Sequence, residues 1–169
     1  MSNEITTMEL HSIDPAALTP LSELLIHVVE DGASIGFLPP VGHQDAVAYW
    51  SGVLQPGVVM WAAVQQGRIV GTVQLHLALK ANAVHRAEVA KLMVHPEHRR
   101  QGIAQRLMQT LENAAKEQSR SLLVLDTRAG DPSNTLYQSL GYIEAGRIPN
   151  YAMSADGSLH ETVYYYKQL

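Results

Sequence analysis

The chain has 169 residues, 46% of them hydrophobic, which suits one domain with a real core and excludes disordered and collagen-like classes. Twelve Lys and Arg against 16 Asp and Glu leave a net charge of -4, the wrong sign for a general nucleic-acid or polybasic membrane binder. Cysteine is absent, which removes disulfides, thiolate metal sites and a cysteine nucleophile, and points to a cytoplasmic setting. Met1 to Glu9 lacks a basic start followed by an apolar run, so no signal peptide is expected. No stretch reaches the roughly 18 apolar residues of a membrane span.

In chain order, Ile5 to Leu10 reads as a first strand. Asp14-Pro15 is a helix start, and Leu18, Leu21, Leu25 and Val28 follow at helical spacing to about Glu30. Gly32 to Gly42, with three glycines and two prolines, reads as a loop. A second helix places Ala46, Val47, Trp50 and Leu54 on one face and stops before Pro56-Gly57. Val58 to Gln65 and Ile69 to Leu79 read as a hairpin turning at Gly67. In its second arm Val73, Leu75, Leu77 and Leu79 alternate with Thr72, Gln74, His76 and Ala78. Arg86 to His95 is another strand, and Gly102 to Glu117 a helix with Leu107, Met108, Leu111 and Ala115 as its buried stripe. Leu122 to Thr127 is a short strand and Asn134 to Leu140 a short helix. Two last strands, about Tyr142 to Ala152 and Glu161 to Lys167, flank the turn at Asp156-Gly157. With no repeat or linker, residues 1–169 read as a single α/β domain around a mixed, largely antiparallel sheet.

The chemistry concentrates between Ala87 and Met108. A helix N-terminus offers free backbone N–H groups and positive dipole character, which suits phosphate. Gly102 allows close approach there, and Arg99 and Arg100 add charge beside it. From His85 to Arg106, Arg86, Lys91, Arg99, Arg100 and Arg106 outweigh Glu88 and Glu97, a balance of +3 that leaves -7 for the remainder. A basic patch in an acidic chain suggests a compact anionic ligand. Neither Gly-x-x-x-x-Gly-Lys-Ser/Thr nor Gly-x-Gly-x-x-Gly is present.

Strand, Arg99-Arg-Gln-Gly-Ile-Ala104 and helix resemble the acetyl-CoA pyrophosphate motif of the GCN5-related N-acetyltransferases (GNAT family). Asn134-Thr-Leu-Tyr137 with Leu140-Gly-Tyr142 is similar to that family's second cofactor segment. The resemblance implies the GNAT fold, a twisted, mostly antiparallel sheet of about seven strands with about four helices. It also implies acetyl-CoA as co-substrate, no metal, and direct transfer to an amine. Gly32 to Phe37, Arg86 to Val94, Leu122 to Thr127 and, discontinuously, Ile148-Pro-Asn-Tyr151, Asp156-Gly157, Leu159-His160 and Tyr166-Lys167-x-Leu169 further resemble the tabtoxin resistance branch, whose acceptor is the amine of a β-lactam toxin.

What the resemblance implies for single residues follows the same motifs. Leu92, Met93 and Val94 would hold the pantetheine arm by their backbone. Arg99, Arg100, Gln101, Gly102, Ile103 and Ala104 would bind pyrophosphate, and Asn134 would contact the cofactor arm. Tyr137 would donate a proton to the leaving thiolate. Asp126 or Glu88 would act as base, Glu88 lying four residues before Leu92 and so on the same strand face by simple alternation. Gly32, Ser34, Phe37 and His160 would line the acceptor pocket.

His95-x-x-His98 superficially suggests a metal pair, but a proline separates the two and no third ligand is evident. Trp50, Trp61 and Tyr151 could wall a pocket, although buried packing is the default for large aromatics. The favoured acceptor is a small amine, amino-acid-like or an antibiotic. A peptide or protein amine, and a non-catalytic acyl-CoA sensor, are the alternatives. The terminal hairpin could join a homodimer.

Overall fold

The computed structural model describes residues 4–169, so the first three residues of the stretch read for export lie outside the described residues. Seven strands form one sheet in the order β1-β2-β3-β4-β5-β7-β6. They are β1 (Ile5–Glu9), β2 (Val58–Gln65), β3 (Arg68–Leu77), β4 (Arg86–Val94), β5 (Leu122–Arg128), β6 (Ile143–Met153) and β7 (Leu159–Gln168). Every neighbouring pair is antiparallel except β4 and β5. Four helices complete the expected architecture: α1 (Pro15–Glu30), α2 (His43–Ser51), α3 (Ile103–Glu117) and α4 (Ser133–Ser139).

Helix α1 starts where its cap dictates: the Asp14 carboxylate accepts from the Ala17 N–H at 2.8 Å, and Pro15 occupies the first turn. Its buried stripe Leu21, Leu24, Leu25, Val28 and Val29 meets Trp50 of α2 and Met60 and Ala62 of β2 on one face of the sheet. Helix α2 ends at Ser51, so Leu54 lies beyond it rather than on its face. On the opposite face α3 packs Ile103, Leu107, Met108, Leu111 and Ala115 against β2 to β5.

Helices on both faces explain why β3 departs from the expected apolar-polar alternation. Thr72 and Gln74 are as buried as Val73 and Leu75. Gln74 is satisfied locally, its amide donating to the Tyr49 hydroxyl at 2.9 Å and its oxygen meeting His76 Nε2 at 2.8 Å. Gly71 admits α3: a Cβ there would sit 2.8 Å from the Met93 carbonyl, 3.1 Å from Ile103 and 3.2 Å from Leu107.

Strand β4 positions the site by being irregular. Gln74 pairs with Ala90 but Thr72 pairs with Met93, so Lys91 and Leu92 together oppose Val73 in a β-bulge. Lys91 takes φ 54°. The extra residue inverts the alternation downstream. Glu88 shares a face with Ala90 and, past the bulge, with Met93, whereas Leu92 packs in the α3-side core. The expectation that Glu88 and Leu92 point the same way is therefore corrected: they lie on opposite faces.

Candidate active site

Strands β4 and β5 are paired only from Arg86–Leu122 to Glu88–Val124. Beyond that the bulged β4 and the straight β5 part, opening a cleft of about 940 Å³ between them. Leu92, Met93 and Val94 form one wall and Asp126, Thr127 and Arg128 the other.

At one end the cleft meets the N-terminus of α3. Arg100 has φ 62° and Gly102 φ 77°, so the chain turns sharply into the helix. A Cβ added at Gly102 would meet nothing within 4 Å; the glycine serves the left-handed backbone and leaves the space before the helix open. Arg99 and Arg100 both reach this end. Arg99 Nη1 donates to Asp31 Oδ2 at 2.5 Å, tying α3's entry to the end of α1. Two further charges of the basic segment go elsewhere: Arg106 donates to the Ile5 carbonyl, and Lys91 sits farther along the cleft.

The opposite end is built from side chains. Glu88 and Asp126 project from one face of adjacent strands, as diagonal neighbours across the Glu88–Val124 pair. Asp126 Oδ2 accepts from the Thr162 hydroxyl at 2.9 Å. Among the described residues neither carboxylate has an ion-pair partner. Partial desolvation raises the Glu88 pKa, Asp126 raises it further, and Lys91 and Arg86 oppose the rise. Burial lowers the Lys91 pKa against the pull of both carboxylates.

Tyr137, on the buried side of α4 between Tyr142 and Tyr165, lines the cleft, and its hydroxyl makes no hydrogen bond to another described residue. Burial first, and then Asp126, push its pKa well above the ordinary tyrosine value, so it stays protonated. The Tyr164 hydroxyl donates to that of Tyr151 at 2.9 Å. That bond, with burial and Asp126 behind it, pushes Tyr164 up to about 12. Arg128 holds the loop after α1 over the cleft, donating to the Gly32 carbonyl at 2.8 Å and pairing with Asp131 at 3.0 Å.

The cleft thus gathers Gly32, Ser34, Glu88, Leu92, Met93, Val94, Arg99, Arg100, Gly102, Ile103, Ala104, Asp126 and Tyr137. Four expected residues stand outside it. Gln101 accepts from the Gln65 amide at 2.9 Å. Asn134 spends its side chain on loop closure, donating to the Arg128 and Asp131 carbonyls and accepting from the Tyr165 hydroxyl. Phe37 packs edge-on against Tyr49. His160 meets Ser158 in the β6–β7 turn. Of the aromatic residues read as buried packing, Trp50 and Trp61 are buried, but Tyr151 is 49% exposed and lines the cleft. Tyr151 thus fits the pocket-wall alternative, whereas Lys91, Arg128 and Thr162 are not legible in the sequence as site residues. Lys91 carried a signal as an extra charge in an apolar strand, but the bulge that aims it did not.

Among the described residues no cluster of three or more His, Asp or Glu is set to hold a metal. His95 Nε2 lies 2.9 Å from His27 Nδ1, and His98 Nδ1 lies 2.8 Å from Gln65 Oε1.

An antiparallel sheet whose single parallel pair splays before a glycine-led helix defines an acyl-CoA-type acetyltransferase scaffold, and the chain belongs to the acetyltransferase (GNAT) family, whose model matches residues 20–142. It is similar to human N-acetyltransferase 8, with 36% identity over 93 residues, 54% of this chain and 41% of that protein. The match thus spans about two fifths of that relative's length. An uncharacterized N-acetyltransferase of Azospirillum brasilense is 27% identical over 128 residues, 74% of this chain and 76% of that one. The fold is shared with a GCN5-related N-acetyltransferase from Kribbella flavida, at TM-score 0.81 and 17% identity over 98% of both chains. A Salmonella typhimurium protein solved with its cofactor acetyl-CoA has TM-score 0.80 and 19% identity, over 98% of this chain and 94% of that one.

Proposed function

We propose that the chain is an acetyl-CoA-dependent N-acetyltransferase whose acceptor is the amine of a small molecule. The observation that carries this reading is the cleft between β4 and β5, bounded by an open helix N-terminus at one end and by Tyr137, Asp126 and Glu88 at the other. The donor set fits acetyl-CoA: N–H groups at the entry of α3 with Arg99 and Arg100 suit a pyrophosphate, and the backbone of Leu92 to Val94 suits an amide-bearing arm. When bound, acetyl-CoA supplies an acetyl thioester and the reaction's thiol, since the chain has no cysteine.

The chain's own groups then have distinct tasks. Asp126, exposed to the cleft and oriented by Thr162, takes the proton that an incoming ammonium must lose. Glu88 is the second carboxylate able to do so. Tyr137 keeps its proton at neutral pH and presents it to the cleft as a general acid. Gly32, whose carbonyl Arg128 holds, and Ser34 in the same loop form the acceptor side, with Arg99 anchoring the preceding Asp31.

The motif likeness to the tabtoxin resistance branch favours an amino-acid-like acceptor, of which tabtoxinine-β-lactam is one example, and with it a resistance role. One sheet with cores on both faces supports 1–169 as a single domain. The lack of cysteine suits the cytoplasm. The exposed edge strand β6, carrying Ile143, Ile148 and Met153, suits a homodimer contact.

The test is release of free CoA thiol from acetyl-CoA with a panel of small amines and short peptides. Amine-dependent release is expected. Stabilisation by acetyl-CoA without release would instead indicate a sensor, and release with peptides alone would move the acceptor class.

A further inference from the structure

The bulge in β4 places one charged group that the acetyl-transfer chemistry leaves unused. Lys91 lies in the wall of the cleft, half-buried, beside the point where β4 and β5 part. Among the described residues its ammonium has no ion pair within 4 Å and donates no side-chain hydrogen bond. Its ammonium rests against the loop after α1, where a Cβ added at Gly36 would lie 3.4 Å from Nζ. A half-desolvated ammonium with no carboxylate in contact is costly, since Glu88 and Asp126 act on it only from beyond 4 Å, and an anionic ligand in contact would offset that cost.

The neighbouring cations are already engaged. Arg128 serves Asp131 and the Gly32 carbonyl, and Arg99 serves Asp31. Lys91 is thus the cation on the carboxylate side of the cleft that remains available. Glu88 and Asp126 stand on the same side and influence it electrostatically. A bare cationic amine would meet the carboxylates but also be repelled by Lys91. A molecule bearing both an amine and a carboxylate matches both signs.

We propose that Lys91 binds a carboxylate on the acceptor and so selects amines that also carry one. This rests on the acetyl-transfer reading above. Lys91 is here a specificity-determining residue, with the amine directed to Asp126 and Glu88.

The test uses the full chain with the standard amino acids and β-alanine, each beside its decarboxylated amine, and compares kcat/KM within each pair. Wild type should favour the carboxylated member of the accepted pairs. K91M should shrink that preference roughly tenfold to a hundredfold, mainly through KM, and K91R should retain part of it. Equal preference in wild type, or an unchanged ratio in K91M, overturns the proposal, because a merely structural role lowers both members alike.

A second measurement needs no turnover. With CoA present, N-acetyl amino acids should raise Tm more than N-acetyl amines of the same side chain in wild type, and not in K91M. If no amine is acetylated, the acetyl-transfer reading fails while this binding comparison still decides Lys91. Equal stabilisation of wild type by both products would overturn the role.

Discussion

The two ends of the cleft are made of different material. The α3 end is built mainly from backbone: the wall of Leu92 to Val94, the turn through Arg100 and Gly102, and the first N–H groups of a helix. The other end is built from side chains on separate elements, with Glu88 and Lys91 from β4, Asp126 from β5, Thr162 from β7, Tyr151 from β6 and Tyr137 from α4. A backbone site tolerates many side chains but few changes in φ. A side-chain site holds its framework through substitution and loses its chemistry one group at a time. Substitutions at the two ends should therefore separate cleanly into effects on acetyl-CoA binding and effects on turnover.

The largest effect is expected at Tyr137. Tyr137→Phe removes only a hydroxyl that has no hydrogen-bond partner among the described residues, so the core around Tyr142 and Tyr165 should stand. Turnover should fall roughly a hundredfold or more, the scale of general acid catalysis, with KM for acetyl-CoA nearly unchanged. Steady-state kinetics across pH check this; unchanged turnover throughout would remove the acid role.

Next come the carboxylates. Asp126→Asn should cost roughly tenfold to a hundredfold in kcat at neutral pH, and Glu88→Gln less. If Glu88→Gln instead abolishes the fall in rate on acidification, the two exchange roles. Glu88 also makes a stability prediction. Its folded pKa is raised, so its contribution is present below the ordinary carboxylate range and is lost as pH rises through the raised value. Glu88→Gln should therefore melt above wild type near neutral pH, and the gap should close in acid.

What the sequence exposes follows this same division. A backbone site needs glycine and a helix start at fixed spacing, so Arg99 to Ala104 was readable as one contiguous string. The sheet, its hairpin and the α3 stripe were readable for a related reason, since apolar periodicity is local. The side-chain end is assembled across the sheet, and no local pattern joins Lys91 to Asp126 or Tyr151. A single added residue in β4 reverses every side chain beyond it, which is why alternation misplaced Glu88 relative to Leu92. Asn134 shows a different limit: its motif position suggests a cofactor contact, and no local pattern shows that its amide also closes the loop between Arg128 and Asp131.

The two glycines near α3 sharpen the backbone side of the comparison. At Gly71 the obstacle is contact with the Met93 carbonyl and two α3 side chains, so Gly71→Ala must shift the β3–β4 backbone and press on the helix. A loss of roughly 1–3 kcal/mol is expected, seen as a lower Tm. At Gly102 nothing is nearby and the obstacle is φ 77° alone. Gly102→Ala should leave Tm less affected and raise KM for acetyl-CoA up to about tenfold, as the strained turn relaxes. Equal KM values for Gly102→Ala and wild type would argue that this turn is not where the pyrophosphate binds.

The smallest effect concerns the link between the two ends, Asp31 to Arg99. Each partner's side chain is 45% exposed, so the ion pair at 2.5 Å contributes about 0–1 kcal/mol to stability and Asp31→Asn should shift Tm little. Its consequence for binding is less symmetrical. Arg99 is one of two arginines at the expected phosphate end, and Asp31 neutralises it there while holding the acceptor loop. If the pair competes with the cofactor, Asp31→Asn should lower KM for acetyl-CoA roughly twofold to fivefold, with a larger gain at low salt because the charges are exposed. A higher KM would mean the reverse: Asp31 orients Arg99 toward the phosphates. In that case the end read as backbone-built depends on a side chain from α1's terminus after all.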